Sequence, residues 1–313
     1  MNRLASIASI ALGVIVVSAA TVPAASAALA PSPWAPESSM TKFLERPQGR
    51  IAYDDSGPTN GELVVMVPGI GDVRRQYRFL APQFTSAGYR VVTTDLRGLG
   101  DSSAGWSDYT GAATGSDIVA LLRELKAGPA NLIGQSNAAG AVVWAAAEAP
   151  ELIRSVTLIG PFVRDIPPAS FGDSAMTWGM INLGLARPWG VSLWGTYYKS
   201  LYPSSPPADL DAYTTALQAD ISEKGRLEAV QAMMQASKSA VEARLDQVRQ
   251  PVLVVMGTAD PDFAGFQGGP DGEAHYIGER LQGQVLMVEG AGHYPHTEMP
   301  EQVGPAILSF TGR

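Results

Sequence analysis

Cysteine is absent from the 313 residues, which excludes disulfides, thiolate metal sites and a cysteine nucleophile. It also removes the lipid-attachment residue that a bacterial lipoprotein needs. Histidine is scarce: His275, His293 and His296 are the whole supply, so the choice of a general base is nearly forced. Charged residues make up only 17% of the chain and leave a formal net charge of −8. That balance disfavours a phosphate-binding surface, and no basic patch for nucleic acid is present. No internal repeat, glycine-rich nucleotide fingerprint or histidine–carboxylate cluster with metal-ligand spacing occurs, so neither cofactor nor metal is expected. A hydrophobic content of 46% indicates a globular chain with a sizeable core, organised as one large α/β domain or two ordinary ones.

The first 27 residues read as a secretory signal peptide. Arg3 supplies a short positive region, Ile7 to Val17 an apolar stretch, Pro23 a break, and Ala25-Ser26-Ala27 small residues for cleavage after Ala27. The alternative is an uncleaved anchor, since Leu4 to Ala20 is mostly apolar and nearly long enough to cross a bilayer when tilted. The expected location is therefore secreted or extracytoplasmic, with membrane attachment through this segment as the alternative. Residues 28–40 carry Pro31, Pro33 and Pro36 and read as a stiff linker. No later apolar span is long enough to predict another membrane crossing.

From Thr41 onward, strand and helix signals alternate. Short strands are expected at Phe43-Leu44 and Ile51-Ala52-Tyr53. A continuous apolar run at Leu63–Val67 suits a strand buried on both faces, Ser155–Ile159 reads as another buried strand, and further strands are expected at Arg90–Thr94, Asn131–Ile133, Val252–Met256 and Gln284–Val288. Helices are expected from Asp72, as N-cap, to Gly88, from Asp117 to Lys126, after Ser136 to Ala149, and from Pro300 to Phe310. Strands alternating with crossover helices imply a mainly parallel sheet covered on both faces. Residues 167–248 break the alternation with helical signals only, interrupted by Pro188, Pro203 and Pro206-Pro207. This segment carries Trp178, Trp189, Trp194, Tyr197, Tyr198 and Tyr202. Inserted between two sheet strands, it would sit as a lid over their C-terminal edge, where open α/β sheets bind ligands. For any single aromatic, packing inside the lid is the plainer role.

Three residue types needed for nucleophilic catalysis occur in a telling order. Ser136 stands in Gly134-Gln135-Ser136-Asn137-Ala138, between an expected strand and an expected helix. Asp260 ends Gly257-Thr258-Ala259-Asp260, and His293 lies in Gly290-Ala291-Gly292-His293. A serine hydroxyl is a poor nucleophile unless a base takes its proton as it attacks. A strand–serine–helix turn exposes that hydroxyl but needs small flanking residues; Gly134 and Ala138 supply them, with alanine where the usual pattern has glycine. Asp262 is the rival acid and His296 the rival base. His275 falls in a polar helix or loop.

With these motifs, the sequence resembles the α/β-hydrolase superfamily, in the branch whose helical cap follows the sixth core strand. The resemblance runs from about Thr41 to Thr311. It also includes Pro68-Gly69-Ile70-Gly71, which is similar to the oxyanion loop of that family, and Asp95-Leu96-Arg97-Gly98-Leu99-Gly100-Asp101-Ser102, which is similar to its D-x-R-G-x-G-x-S loop. It implies an α/β-hydrolase fold: a mainly parallel eight-stranded sheet flanked by helices, with residues 41–166 and 249–313 as the core and 167–248 as the cap. It further implies Ser136 as nucleophile, His293 as base and Asp260 as the acid orienting the imidazole, with backbone N–H groups of Ile70 and Asn137 as the oxyanion hole. Asp95 and Arg97 are expected to brace their loop. The expected activity is hydrolysis of a carboxylic ester or lactone through an acyl-enzyme, on a small apolar or aromatic ester-type substrate. The alternatives are carbon–carbon hydrolysis, acyl transfer or cofactor-free perhydrolysis with the same triad, or a non-catalytic ligand-binding protein on the same fold.

Overall fold

The computed structural model describes residues 41–165 and 183–312. The expected signal peptide, the proline-rich linker and the part of the cap that holds Trp178 lie outside the described residues. Eight strands form one sheet: β1 Lys42–Arg46, β2 Gly49–Ser56, β3 Leu63–Val67, β4 Arg90–Thr94, β5 Ala130–Gln135, β6 Ile153–Ile159, β7 Val252–Gly257 and β8 Gln284–Val288. Their spatial order is β1-β2-β4-β3-β5-β6-β7-β8. The hairpin β1–β2 and the pair β2–β4 are antiparallel, and every other pair is parallel.

Strands β3, β5 and β7 are buried at every position, as the continuous apolar runs require, because helices cover both faces. Alternation divides each strand between two cores. Val65, Val67, Leu132, Val254 and Met256 pack on one side with Ile118, Val142 and Ile277. Val64, Met66, Ile133, Leu253 and Val255 pack on the other with Phe84, Val303 and Ile307.

The helices flanking the sheet are α1 Ala81–Ser86, α2 Gly111–Leu125 and α3 Asn137–Glu148; the cap then contributes α4 Gly190–Ser200, α5 Leu210–Ser222, α6 Arg226–Gln235 and α7 Ser239–Glu242. After β7 come α8 Gly269–Leu281, α9 Pro295–Glu298 and α10 Pro300–Thr311. Among the described residues no strand lies between β6 and β7, and no helix is long and apolar enough to cross a membrane.

Two helices depart from the sequence expectation. The segment from Asp72 to Gly88 is not one helix: a 3-10 turn at Arg74–Arg78 precedes the short α1. Proline lacks an N–H and clashes with the preceding turn, so Pro82 is best placed in a first turn, and α1 starts there. Asp72 does not act as a plain N-cap; its role appears below. Helix α2 begins six residues before Asp117, because Thr110 caps it by accepting a hydrogen bond from Ala113 N at 3.2 Å.

Candidate active site

The strand register gathers the candidate residues at one edge of the sheet. Val67 of β3 pairs with Gly134 of β5, and Gly257 of β7 with Val288 of β8. These strands run parallel, so the residues that follow each of them emerge on the same C-terminal side. Ser136 follows β5, the Pro68–Asp72 loop follows β3, Asp260 follows β7 and His293 follows β8.

Ser136 has φ 55° and ψ −125°. Lys126 and Gln282 also have positive φ, but both sit in the ordinary left-handed helical well. Ser136 alone among these three takes a strained strand-to-helix turn, the geometry of a nucleophile elbow. Its main chain is pinned: Ser136 N donates to Ile159 O at 2.8 Å, and Phe162 N donates to Ser136 O at 3.1 Å. Gly134 is required because a Cβ there would lie 2.7 Å from Ala138 O. Ala138 is fully buried, so the methyl that replaces the usual glycine is accommodated.

The loop after β3 crosses directly over the serine; a Cβ on Gly69 would lie 2.9 Å from Ser136 Cβ. Gly69 N donates to Gln76 Oε1 at 3.1 Å, and Asp72 N donates to Gly69 O at 3.3 Å. Ile70 therefore occupies a tight turn, followed by Gly71 at φ 69°. Asn137 is the first residue of α3, where a backbone N–H has no acceptor within its own helix and the helix dipole is positive.

Asp260 and His293 meet directly. His293 Nδ1 lies 2.7 Å from Asp260 Oδ2, and both side chains are buried. Their loops are laced together by Thr258 N to Val288 O at 3.0 Å and Ala259 N to Ala291 O at 2.9 Å. The backbone of His293 is fixed twice more: its N–H donates to Leu201 O of the cap at 3.0 Å, and its carbonyl accepts from Gln135 Nε2 at 3.2 Å. Gln135 thus ties the residue before the serine to the histidine. Gly292 N donates to the buried Glu298 at 2.7 Å, which holds the turn that carries the imidazole.

The second ring nitrogen faces another carboxylate. His293 Nε2 lies 3.7 Å from Asp262 Oδ2, and the Tyr197 hydroxyl lies 2.8 Å from both Asp262 oxygens. Burial by itself favours the neutral ring, but Asp260, then Asp262, with Glu298 further off, outweigh it and raise the His293 pKa to about 9. Burial raises the Asp262 pKa, against the opposing pull of His293. Asp260, Asp262 and His293 each place a ligand-type atom within 4.8 Å of the others.

The rival residues are placed elsewhere. His296 is buried on the Tyr77 ring, with Nε2 3.2 Å from Gln76 Nε2 and no ion-paired carboxylate among the described residues. Burial, then the charges of Arg78 and His293, lower its pKa to about 3, so it stays neutral. His275 is exposed on α8, its Nδ1 2.9 Å from Asp271 O. Asp95 and Arg97 brace their loop as expected: Asp95 accepts from Arg74 N at 2.7 Å and Asp101 N at 2.9 Å, and Arg97 donates to Asp117 at 2.9 Å and Asp108 O at 3.0 Å.

Sequence reasoning missed a second buried cluster. Asp72 is fully buried, and its carboxylate accepts from Tyr213 at 2.6 Å, Tyr198 at 2.7 Å and Val73 N at 2.8 Å. Burial pushes its pKa up to about 6, partly opposed by those hydrogen bonds. Tyr198, Tyr202, Tyr213 and Tyr294 pack around it, so the loop after β3, the cap and the residue after His293 share one aromatic knot. The aromatic richness of the cap was visible in the sequence; a carboxylate partner across 126 positions was not.

The fold is that of an α/β-hydrolase. The chain belongs to the α/β hydrolase fold family, whose model matches residues 62–300. In sequence it is similar to BpoC of Mycobacterium tuberculosis, which carries a non-heme bromoperoxidase name, at 36% identity over 112 residues. It is similar also to a 2-hydroxy-6-oxo-6-phenylhexa-2,4-dienoate hydrolase of Burkholderia cepacia, at 33% identity over 117 residues. These alignments take in 35% and 36% of the chain, and span only 41% and 40% of the two relatives. In structure it is similar to an esterase from Exiguobacterium antarcticum, with a TM-score of 0.74 at 18% identity, covering 88% of this chain and all of that one (100%).

Proposed function

We propose that the protein is a serine hydrolase that cleaves a carboxylic ester or lactone through an acyl-enzyme. The observation that carries this reading is the buried 2.7 Å pair of His293 Nδ1 and Asp260, at the same sheet edge as a serine whose backbone is forced into an elbow. In this reading Asp260 holds the imidazole tautomer, so that Nε2 takes the Ser136 proton as Oγ attacks the carbonyl carbon. The imidazolium then returns the proton to the leaving alcohol, and water repeats the cycle on the acyl-enzyme. Backbone N–H groups of Ile70 and Asn137 would stabilise the oxyanion, each worth about 3 kcal/mol in the barrier. The early residues, read as a secretory signal, would place this activity outside the cytoplasm.

Carbon–carbon hydrolysis is the second reading, supported by the likeness to the Burkholderia dienoate hydrolase. It keeps the same three residues and changes the bond that breaks. The test is turnover of aryl esters of increasing acyl length beside a dienoate substrate of that relative, with Ser136→Ala as control. Ester turnover by the wild type that disappears in Ser136→Ala is the expected result. Turnover of the dienoate alone would favour the second reading, and equal rates for wild type and mutant would defeat both.

A further inference from the structure

Asp262 is two residues beyond Asp260, and the two carboxylates crowd the same imidazole, with ligand-type atoms of all three residues within 4.8 Å of one another. The Asp262 carboxylate sits 3.7 Å from Nε2, the nitrogen that serves the reacting atoms in the serine-hydrolase reading on which this inference rests. Tyr197, from the cap helix α4, holds both carboxylate oxygens at 2.8 Å, so the group cannot swing aside without breaking a cap contact. Among the described residues its only cationic partner is the imidazole itself. Two carboxylates, Asp260 and Asp262, share this one imidazole, so even the protonated ring leaves the cluster with a surplus negative charge in a largely desolvated place. The Asp262 side chain is 15% exposed and Tyr197 is 36% exposed, so the pair reaches solvent. The Trp194 ring stands 5.3 Å from the Tyr197 ring. Its Nε1–H is buried and has no hydrogen-bond partner among the described residues.

We propose that Asp262, held by Tyr197, selects substrates by charge: the site takes esters that carry an ammonium group beside the scissile bond and discriminates against esters that carry a carboxylate there. A buried carboxylate attracts an ammonium strongly because little water screens the pair. The exposed ring of Tyr197 adds aromatic surface of the kind on which alkylated ammonium groups bind. A carboxylate in the same position would meet a like charge, the repulsive element that builds specificity.

The test measures binding without turnover. The full chain carrying Ser136→Ala is titrated calorimetrically with three butyrate esters of matched shape: the choline ester, the neutral ester with carbon in place of the ammonium nitrogen, and an ester ending in a carboxylate. The choline ester is expected to bind about tenfold more tightly than the neutral one, and the carboxylate ester more weakly than either. Adding Asp262→Asn should bring the three together. Tyr197→Phe, which keeps the carboxylate, should preserve the order. Failure of the choline ester to bind, a flat or reversed order, or an order unchanged by Asp262→Asn overturns the proposal. If the order holds but the wild type turns over none of the three, the hydrolase reading falls and the charge selectivity stands.

Discussion

Ser136 is held where a serine backbone does not settle unaided. A residue in so sparsely populated a region costs of order 1–3 kcal/mol. The bonds from Ser136 N to Ile159 O and from Phe162 N to Ser136 O over-determine the turn and keep the strain in place. The imidazole is biased just as firmly, toward its charged form. Three carboxylates, Asp260, Asp262 and Glu298, act on it, with His296 neutral nearby, and together they overcome burial to raise it to about 9. A base works only when unprotonated, and a raised pKa keeps the ring protonated to higher pH. The rate constant kcat/KM is therefore expected to rise with pH through about 9. Asp262→Asn removes one source of the shift and should move that limb toward lower pH. A limb that stays put, or moves upward, in a pH–rate profile of the variant would contradict the electrostatic account.

Helix α4 does the work of an adaptor between cap and core. Trp194, Tyr197 and Tyr198 follow i, i+3, i+4 spacing and so share one face of the helix. That face meets the loop after β3 at Gly71, the loop after β7 at Asp262 and the buried carboxylate of Asp72; a Cβ on Gly71 would clash with the Trp194 ring. Helix α5 adds Tyr213 to the same carboxylate. Tyr213→Phe removes one of its donors from a fully buried acid and is expected to cost about 2 kcal/mol of stability. Denaturant unfolding of the variant reads this directly; a midpoint equal to that of wild type would show that the knot does not clamp the cap. The spacing of these aromatics was visible in the sequence, but their partners were not. Asp72 looked like a helix cap because its loop precedes Arg74–Arg78, and only the returning chain of the cap reveals the tyrosines that bury it.

At the scale of the molecule, the sheet and its edge were the most legible features, because continuous apolar runs separated by helical stretches leave few topologies open. The eight expected strands all form, and the sheet is mainly parallel. Asp260 and His293 were legible through the turns that follow their strands, and they meet. Asp262, weighed only as a rival acid, instead faces the other imidazole nitrogen, a placement that depends on loop conformation and carries no sequence signal. Pro82 was the overlooked sign that the helix after β3 restarts. The central claim is that the Asp260–His293 pair activates Ser136. Its most direct test is to treat the full chain with a serine-directed phosphonate and locate the adduct by mass spectrometry. The expected result is an adduct on Ser136 whose rate of formation falls about a thousandfold in His293→Ala; no adduct, an adduct on another residue, or a rate indifferent to His293 would contradict it.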